Sequence, residues 1–239
     1  MSYVLAFVLL GAVILLHELG HLVAAKWFKI PVERFSVGFG PRLLGIKRSE
    51  TDYCLSILPF GGYVLPLVQD PEDFSELPLH SRIAFSLGGP LFNLLGAWSC
   101  LVAVSVLNPH VSVLAAASDA LHEVARMIHQ VLVSLPELFR HPDRLSGIVG
   151  IVAAGGQGAK AGVAWYASFW ALLNVNLAVL NLLPLPPLDG GKIVFWVFEA
   201  VWKPLRRLQA PIAIAGWVLM LALMLVATVH DIGRLVVSS

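Results

Sequence analysis

Charged residues are scarce in this chain, and their scarcity excludes most classes of soluble protein. Only 13% of the 239 residues are charged, whereas 58% are hydrophobic. Soluble domains average about 25% charged and about 45–50% apolar residues. Two cysteines, Cys54 and Cys100, are too few for a disulfide framework, and neither stands in a CxxC or CxxH pattern. The net charge of +1 gives no reason to expect a nucleic-acid partner. The composition therefore predicts a membrane protein.

Four apolar segments are long enough to cross a bilayer, which takes about 20 residues. They cover about 3–28, 82–107, 163–183 and 211–235. The first has no positively charged start and no small-x-small cleavage site, so we expect a retained helix and not a signal peptide. The third is interrupted by the break "LPLPPLDGG" before an apolar piece that runs to residue 202. Free backbone groups at membrane depth need cover from protein or a water-filled cavity, which makes this break a candidate site.

Two further segments have a different periodicity. Residues 31–66 hold two alternating apolar stretches joined by the charged turn "KRSETD", and this pattern predicts a β-hairpin at the membrane interface. The loop 108–162 contains the amphipathic stretch "ALHEVARMIHQVLVSLPELF", which predicts a helix on the outer surface. The expected fold is a single domain, residues 1–239. It is an all-α polytopic membrane protein with about four transmembrane helices, a membrane-associated β-hairpin and an amphipathic surface helix.

The positions of Lys and Arg predict how the spans are oriented. Eleven of these residues lie between spans one and two or between spans three and four, and five lie in the other two flanks. Because cytoplasmic loops carry the excess of positive charge, we expect the first and third loops in the cytoplasm. The prediction is a multi-pass protein of the inner (cytoplasmic) membrane, with its active site toward the cytoplasm.

The first span contains the sequence HELGH at 17–21 inside an almost wholly apolar run. On a helix, His17 and His21 are one turn apart and face the same side. Two imidazoles at that spacing can bind Zn²⁺, and the adjacent Glu18 can act as general base on a water at the metal. An ionisable group in a spanning helix costs roughly 2.5–3.5 kcal/mol, so three in one turn need a compensating partner. The alternative is that they pair with one another or snorkel to the surface.

A catalytic zinc site needs a third protein ligand, and Asp189 in "LPLPPLDGG" is the candidate. It lies at the break of the third span, on the same predicted side of the membrane as the two histidines. The alternative is a helix N-cap, because Asp189 precedes Gly-Gly-Lys at the start of an apolar helical stretch. We favour the ligand because HExxH occurs in the same membrane domain.

These motifs together resemble the site-2 protease family of intramembrane zinc metalloproteases. The matching pieces follow the family's order and touch nearly the whole chain: HELGH at 17–21, "FSVGFGPRL" at 35–43, "LPFGGYV" at 58–64, "GGPLFN" at 88–93, "LSGIVGI" at 145–151 and "NLLPLPPLDGG" at 181–191. The resemblance implies one Zn²⁺ per chain, held by His17, His21 and Asp189, with Glu18 as catalytic base. It also implies that the hairpin offers an edge to an extended substrate.

The resemblance further implies a set of substrate-binding residues. Asn93 matches the GGPxxN asparagine, and Asn181, Pro184 and Pro186 match residues that line the substrate path. We expect the substrate strand to lie along the hairpin near Tyr53, Leu55 and Ile57. The two asparagines could also stabilise the oxyanion or simply bond between helices, and the sequence leaves these roles equally open.

One feature departs from the family pattern. Bacterial members usually carry a PDZ module between "GGPLFN" and the "SGPVGI"-like segment, but about 50 residues separate the two pieces here. That is too few for a PDZ domain, and Ile148 stands where the family pattern has Pro. Substrate admission must then depend on the membrane part or on a regulatory membrane partner.

The predicted activity is a zinc-dependent endopeptidase that cuts within transmembrane segments of membrane proteins or within remnant signal peptides in the lipid bilayer. The biological setting would be regulated intramembrane proteolysis or signal-peptide clearance. The alternative is a protein that binds metal or transmembrane segments without cleaving them. Such a protein would have no use for Glu18.

Overall fold

A computed structural model describes residues 2–67, 71–140, 148–157 and 162–237. Helices dominate this part of the chain: α1 (Ser2–Trp27), α2 (Pro71–Glu76), α3 (Leu79–Ser105), α4 (Val113–Arg140), α5 (Ile148–Gln157), α6 (Gly162–Asn181), α7 (Asp189–Val201) and α8 (Gln209–Val237). Two strands, β1 (Val32–Arg48) and β2 (Thr51–Pro66), separate α1 from α2. A 3₁₀ turn, Lys203–Leu208, joins α7 to α8. Residues 145–147 of the "LSGIVGI" segment lie outside the described residues.

Four of these helices are long and apolar enough to cross a membrane, as the sequence predicts for the described part of the chain. Their candidate spans are Tyr3–Trp27, Leu79–Ser105, Gly162–Asn181 and Lys203–Asp231. The first three agree with the predicted segments to within about three residues. The last begins about eight residues earlier, because the 3₁₀ turn continues into α8. The protein is thus a multi-pass membrane protein.

The chain divides into two compact units. One comprises Met1–Leu10, Leu94–Val179 and Ala215–Ser239, and the other comprises Gly11–Asn93 and Leu180–Ile214. The second unit contains both strands, α2 and α7, together with parts of α1 and α3. All the residues predicted to take part in catalysis or metal binding belong to this unit.

The predicted β-hairpin is confirmed, but part of each strand has a pairing partner on both sides. Arg48 pairs with Thr51 across a two-residue turn, and the antiparallel ladder continues to Arg42 and Ser56. Residues 34–37 of β1 are paired with β2 on both sides: Arg34, for example, faces Asp52 on one side and Leu65 on the other. The sequence alternation predicts strands but does not reveal this double pairing. The outer segment of β1 (42–48) and the last segment of β2 (62–66) therefore form the two edges of the described sheet.

The amphipathic stretch forms α4, and one stripe of this helix is buried. Ala116, Ala120, Val124, Met127 and Val131 recur at helical spacing and have at most 7% of their surface exposed. Within the first unit Val124, Met127 and Val131 belong to a core with side chains of α3 and α6: Ala97, Ala171, Val175 and Val179. The helix is thus packed along one face, while its predicted position on the outer membrane surface stays a prediction.

Candidate metal centre

The two histidines are held in place by a close crossing of α1 and α3. Gly20 and Gly88 face each other across this contact. A Cβ atom on Gly20 would lie 2.2 Å from the carbonyl oxygen of Gly88, and one on Gly88 would lie 2.5 Å from that of Gly20. Glycine at both positions permits the two helix backbones to approach this closely. Small residues commonly have this role where membrane helices cross. The crossing therefore brings the HELGH turn directly against α3.

The structure brings His17, His21 and Asp189 together although 168 residues separate His21 from Asp189 in sequence. The Nε2 atoms of both histidines lie 3.2 Å from Oδ2 of Asp189. The two Nε2 atoms are also 3.2 Å from each other. All three residues are buried, with at most 6% of their surface exposed. Tetrahedral zinc with bonds of ~2.0–2.1 Å separates its ligand atoms by ~3.3–3.4 Å, so this triangle has the size that a zinc ion needs.

Hydrogen bonds at the far side of each imidazole fix which nitrogen carries the proton. His21 Nδ1 lies 2.8 Å from the backbone oxygen of Phe85, which can only accept a hydrogen bond. His17 Nδ1 lies 2.7 Å from Oδ1 of Asn93, whose Nδ2 donates to the carbonyl oxygen of Val13 at 3.1 Å. That second bond fixes the orientation of the amide, so His17 Nδ1 must donate as well.

With a single proton on Nδ1, each imidazole directs an Nε2 lone pair toward Oδ2 of Asp189. Three electron-rich atoms at 3.2 Å, shielded from water, repel one another unless a cation lies among them. Metal-binding histidines typically donate their other ring N–H to a carbonyl or a carboxylate, and Phe85 and Asn93 supply such acceptors here. The donor set of two imidazoles and one carboxylate is that of a catalytic zinc site.

Asp189 reaches this position through the break between α6 and α7. The prolines after Asn181 end α6, because proline cannot continue a helix. α7 then begins at Asp189, and its N-cap is Leu188, which makes no side-chain cap. Gly190 and Gly191 allow the new helix to start against the preceding loop, since a Cβ on either would lie 2.2–2.4 Å from a backbone oxygen.

The carboxylate of Asp189 is therefore not used as the helix cap that the sequence left open. Its Oδ2 faces the two imidazoles, and its Oδ1 accepts a hydrogen bond from Nζ of Lys192 at 3.0 Å. Lys192 was missed in the sequence, although its spacing of three residues from Asp189 on a helix is the signal for such a pair.

Gly89 forms the wall of the site on the α3 side. A Cβ atom there would lie 2.5 Å from Nε2 of His21 and 2.7 Å from Nε2 of His17. Both distances are shorter than any normal contact of a Cβ atom, so a side chain at this position would displace the imidazoles from the space beside the two nitrogens. The glycine keeps this space open. The motif "GGPLFN" is apparent in the sequence, but this role of its second glycine depends on the contact between α1 and α3.

Glu18, the predicted base, lies between the histidine turn and the sheet. It follows His17 directly and is partly buried. Its Cγ would be 3.5 Å from a Cβ on Gly62, in the last segment of β2. Gly62 itself packs so close to β1 that a Cβ would lie 2.6 Å from the backbone oxygen of Ser36. Gly62, the first residue of this edge segment, therefore lies beside the glutamate.

The residues predicted to contact substrate differ in their exposure and in their hydrogen bonds. Asn93 is fully buried, and both ends of its amide bond to the protein, which favours a role in orienting His17. Asn181 is partly exposed, and its side chain makes no hydrogen bond to the residues that the structure describes, so it stays available as a substrate contact. Pro184 is exposed and Pro186 partly exposed in the loop before Asp189. Their contact with substrate stays a prediction.

The structure does not test the predicted substrate contacts of Tyr53, Leu55 and Ile57, but it shows how the strand that carries them is paired. Tyr53 pairs with both Ile46 and Phe35, and Leu55 pairs with both Leu44 and Val37. A strand with partners on both sides has no free backbone groups to offer, so this part of β2 is not an edge. The side chains of Leu55 and Ile57 are exposed, at 40% and 49%, and their contact with substrate remains untested.

A buried ion-pair network connects the helices that carry the site. Nη1 of Arg82, near the start of α3, donates to Oε2 of Glu199 in α7 at 2.9 Å. Nε of Arg206 donates to the other oxygen of Glu199 at 3.0 Å. Arg82 and Glu199 are 4% and 3% exposed, so removing one partner would leave an uncompensated buried charge. The network therefore holds α7, and with it Asp189, against the α3 segment that binds His21.

Spanning helices together with a buried imidazole and carboxylate centre define a polytopic membrane metalloenzyme. Comparison with known proteins specifies the class further. Residues 5–227 match the model of Peptidase family M50, the site-2 protease family, and the chain belongs to this family. It is an intramembrane zinc metalloprotease that acts on membrane-protein substrates in the bilayer.

Individual relatives agree with this assignment. A protein of Clostridium acetobutylicum named as a zinc metalloprotease is 27% identical over 329 aligned positions, covering 97% of each chain. Another, from Campylobacter jejuni, is 23% identical and covers 98% of this chain and 94% of the relative. The zinc metalloprotease RasP of Geobacillus kaustophilus is 37% identical over 128 residues, or 52% of this chain and 30% of RasP.

The alignments also bear on the length of this chain. The Clostridium acetobutylicum alignment runs over 329 positions, whereas this chain has 239 residues. At least 90 aligned positions therefore face a gap in this chain.

Proposed function

We propose that His17, His21 and Asp189 hold one zinc ion and that Glu18 is the general base of peptide hydrolysis. The observation that carries the assignment is the buried triangle of two Nε2 atoms and one carboxylate oxygen, 3.2 Å on each side. When bound, zinc supplies Lewis-acid chemistry that acidifies a water and polarises the scissile carbonyl. Glu18 then accepts a proton from the attacking water and delivers it to the leaving amine.

The substrate must be extended before it can be cut, because helical hydrogen bonds shield the scissile peptide bond. We propose that it adds as a strand to the segment 62–66 of β2. This segment is paired with residues 32–37 of β1 on one side, and the structure describes no strand on its other side. Its neighbour is Glu18, which lies beside Gly62. Strand addition would give the unwound backbone new partners next to the base.

The opposite edge of the sheet provides a matched control for this proposal. Leu65 lies on the proposed substrate edge and is 42% exposed, whereas Ile46 lies on the far edge and is 75% exposed. Single cysteines at these positions, in a chain with Cys54 and Cys100 replaced by Ala, can be oxidised with a cysteine near the substrate's cleavage site. We expect a disulfide cross-link from position 65 and none from position 46. Cross-linking from position 46 alone would place the substrate at the wrong edge.

The orientation of the active site in the membrane and the class of its substrates are also proposals. We infer that the active site faces the cytoplasm of the inner membrane, since the excess of Lys and Arg lies in the loops next to it. The substrates would be transmembrane segments released in regulated proteolysis, or remnant signal peptides.

Replacing Glu18 by Gln tests the assignment of the base. The amide cannot accept the proton, so cleavage should fall by about 10²–10⁴-fold. Zinc content should stay near one ion per chain, because Glu18 is not a ligand. Mass spectrometry of membrane peptides from cells with wild-type or Glu18→Gln protein would identify the substrates. Undiminished cleavage by the variant would show that another group is the base.

A further inference from the structure

Lys192 has a position that the general scheme of zinc proteolysis does not explain. It lies one helical turn after Asp189 on α7, and its Nζ is 3.0 Å from Oδ1 of the carboxylate. The other oxygen, Oδ2, is the one that faces the two imidazoles. The two oxygens of Asp189 are thus divided between a fixed ammonium group and the metal-binding triangle.

The burial of the two partners separates this contact from an ordinary surface ion pair. The side chain of Asp189 is 5% exposed, whereas that of Lys192 is 46% exposed. An exposed pair three residues apart on a helix contributes little, because water and salt screen both charges. Here the acceptor is buried and directed at the site, and the only hydrogen bond that the described residues offer to its Oδ1 comes from Lys192.

Each of the other two ligands has its own partner. The carbonyl oxygen of Phe85 holds His21, and Asn93 holds His17. Such outer partners fix the orientation of the atoms that bind the metal. A carboxylate needs this control more than an imidazole does, because it can bind through one oxygen or through both.

We propose that Lys192 is a positioning residue that keeps Asp189 a one-oxygen ligand by holding Oδ1 away from the metal. This inference rests on the proposed ligand set. Two imidazoles and one carboxylate oxygen leave one coordination position of a tetrahedral ion open, as catalysis requires. A carboxylate that binds through both oxygens would fill that position. Lys192 thus keeps the site accessible to water and substrate without touching either.

The test compares Lys192→Met with Lys192→Arg in the full-length protein, purified in detergent. Methionine removes the charge and the donor from a half-exposed side chain, and arginine retains both. Cobalt(II) replaces zinc as the probe, because its visible absorption is stronger in four-coordinate than in five-coordinate sites. Lys203 provides the control: it is exposed in the 3₁₀ turn after α7, so Lys203→Met should leave the spectrum unchanged.

We expect the visible absorption of the Lys192→Met protein to weaken and that of Lys192→Arg to match wild type. Zinc affinity, measured by competition with a chromogenic chelator, should fall about tenfold in Lys192→Met. This is the low end of the ~10–100-fold range for outer partners, because removal of a positive charge acts in the opposite direction. The thermal stability of the metal-free protein should not change.

An unchanged cobalt spectrum in Lys192→Met, with zinc affinity also unchanged, would overturn the proposal for Lys192. That result would leave the metal centre itself intact. Failure of the wild-type protein to bind cobalt or zinc would instead contradict the proposed ligand set. A drop in thermal stability of metal-free Lys192→Met equal to that of the loaded protein would assign Lys192 to the fold, and it too would overturn the proposal.

Discussion

Replacing Gly89 by Ala adds only one methyl group, but we expect it to disrupt the metal centre. The new Cβ would lie 2.5 Å from Nε2 of His21 and 2.7 Å from Nε2 of His17, whereas real Cβ contacts are rarely below 3.4 Å. The imidazoles would have to move by about 0.7–0.9 Å, the difference between these distances. Overpacking of this kind costs about 1–3 kcal/mol, which corresponds to about 5–150-fold weaker zinc binding.

The loss of activity should be larger than the loss of affinity, because a displacement of about 1 Å in a catalytic group can cost about 10²-fold in rate. Zinc competition and cleavage of a transmembrane reporter measure the two effects. Gly233→Ala in α8 is the control, since a Cβ there meets nothing within 4 Å. Alanine stabilises a helix interior by about 0.5–1 kcal/mol relative to glycine, so neither substitution should weaken the helix that carries it. Wild-type zinc affinity and activity in Gly89→Ala would refute this view of the site.

Two further experiments test a partner of the ligands and the metal itself. Asn93→Ala removes the acceptor for His17 Nδ1, so zinc affinity should fall by about 10–100-fold in a chelator competition. Asn93→Asp keeps an acceptor there and should recover most of the loss. Equal zinc affinities of the two variants would exclude the orienting role of Asn93. Chelation should abolish cleavage by the purified protein, and one equivalent of zinc should restore it; cleavage that persists in metal-free protein would contradict the assignment to a zinc protease.

Much of the architecture is predictable from the sequence because it depends on local patterns. Long apolar runs predict the spanning helices, and the five residues HELGH predict two ligands and a base on one helix face. The prolines after Asn181 predict the end of a helix. Asp189 could be selected as third ligand because a carboxylate at a break in a span otherwise lacks a partner.

Other features depend on contacts between distant residues, and no local pattern reveals them. Asn93 lies 76 residues from His17, and its use as a hydrogen-bond acceptor becomes apparent only when α1 and α3 cross. The alternation in residues 31–66 predicts strands but not their second pairing, so it cannot show that residues 62–66 are an edge of the sheet. Lys192 could have been found from its spacing to Asp189, but its meaning depends on where each carboxylate oxygen points.

X-ray absorption at the zinc edge of active, detergent-purified protein tests the proposed centre most directly. The predicted result is one zinc per chain with two imidazole nitrogens and oxygen ligands at about 2.0–2.1 Å, and no sulfur. Asp189→Ala should lose an oxygen ligand while both imidazoles remain. Active protein with far less than one zinc per chain, or with a thiolate in its coordination sphere, would contradict the assignment of His17, His21 and Asp189.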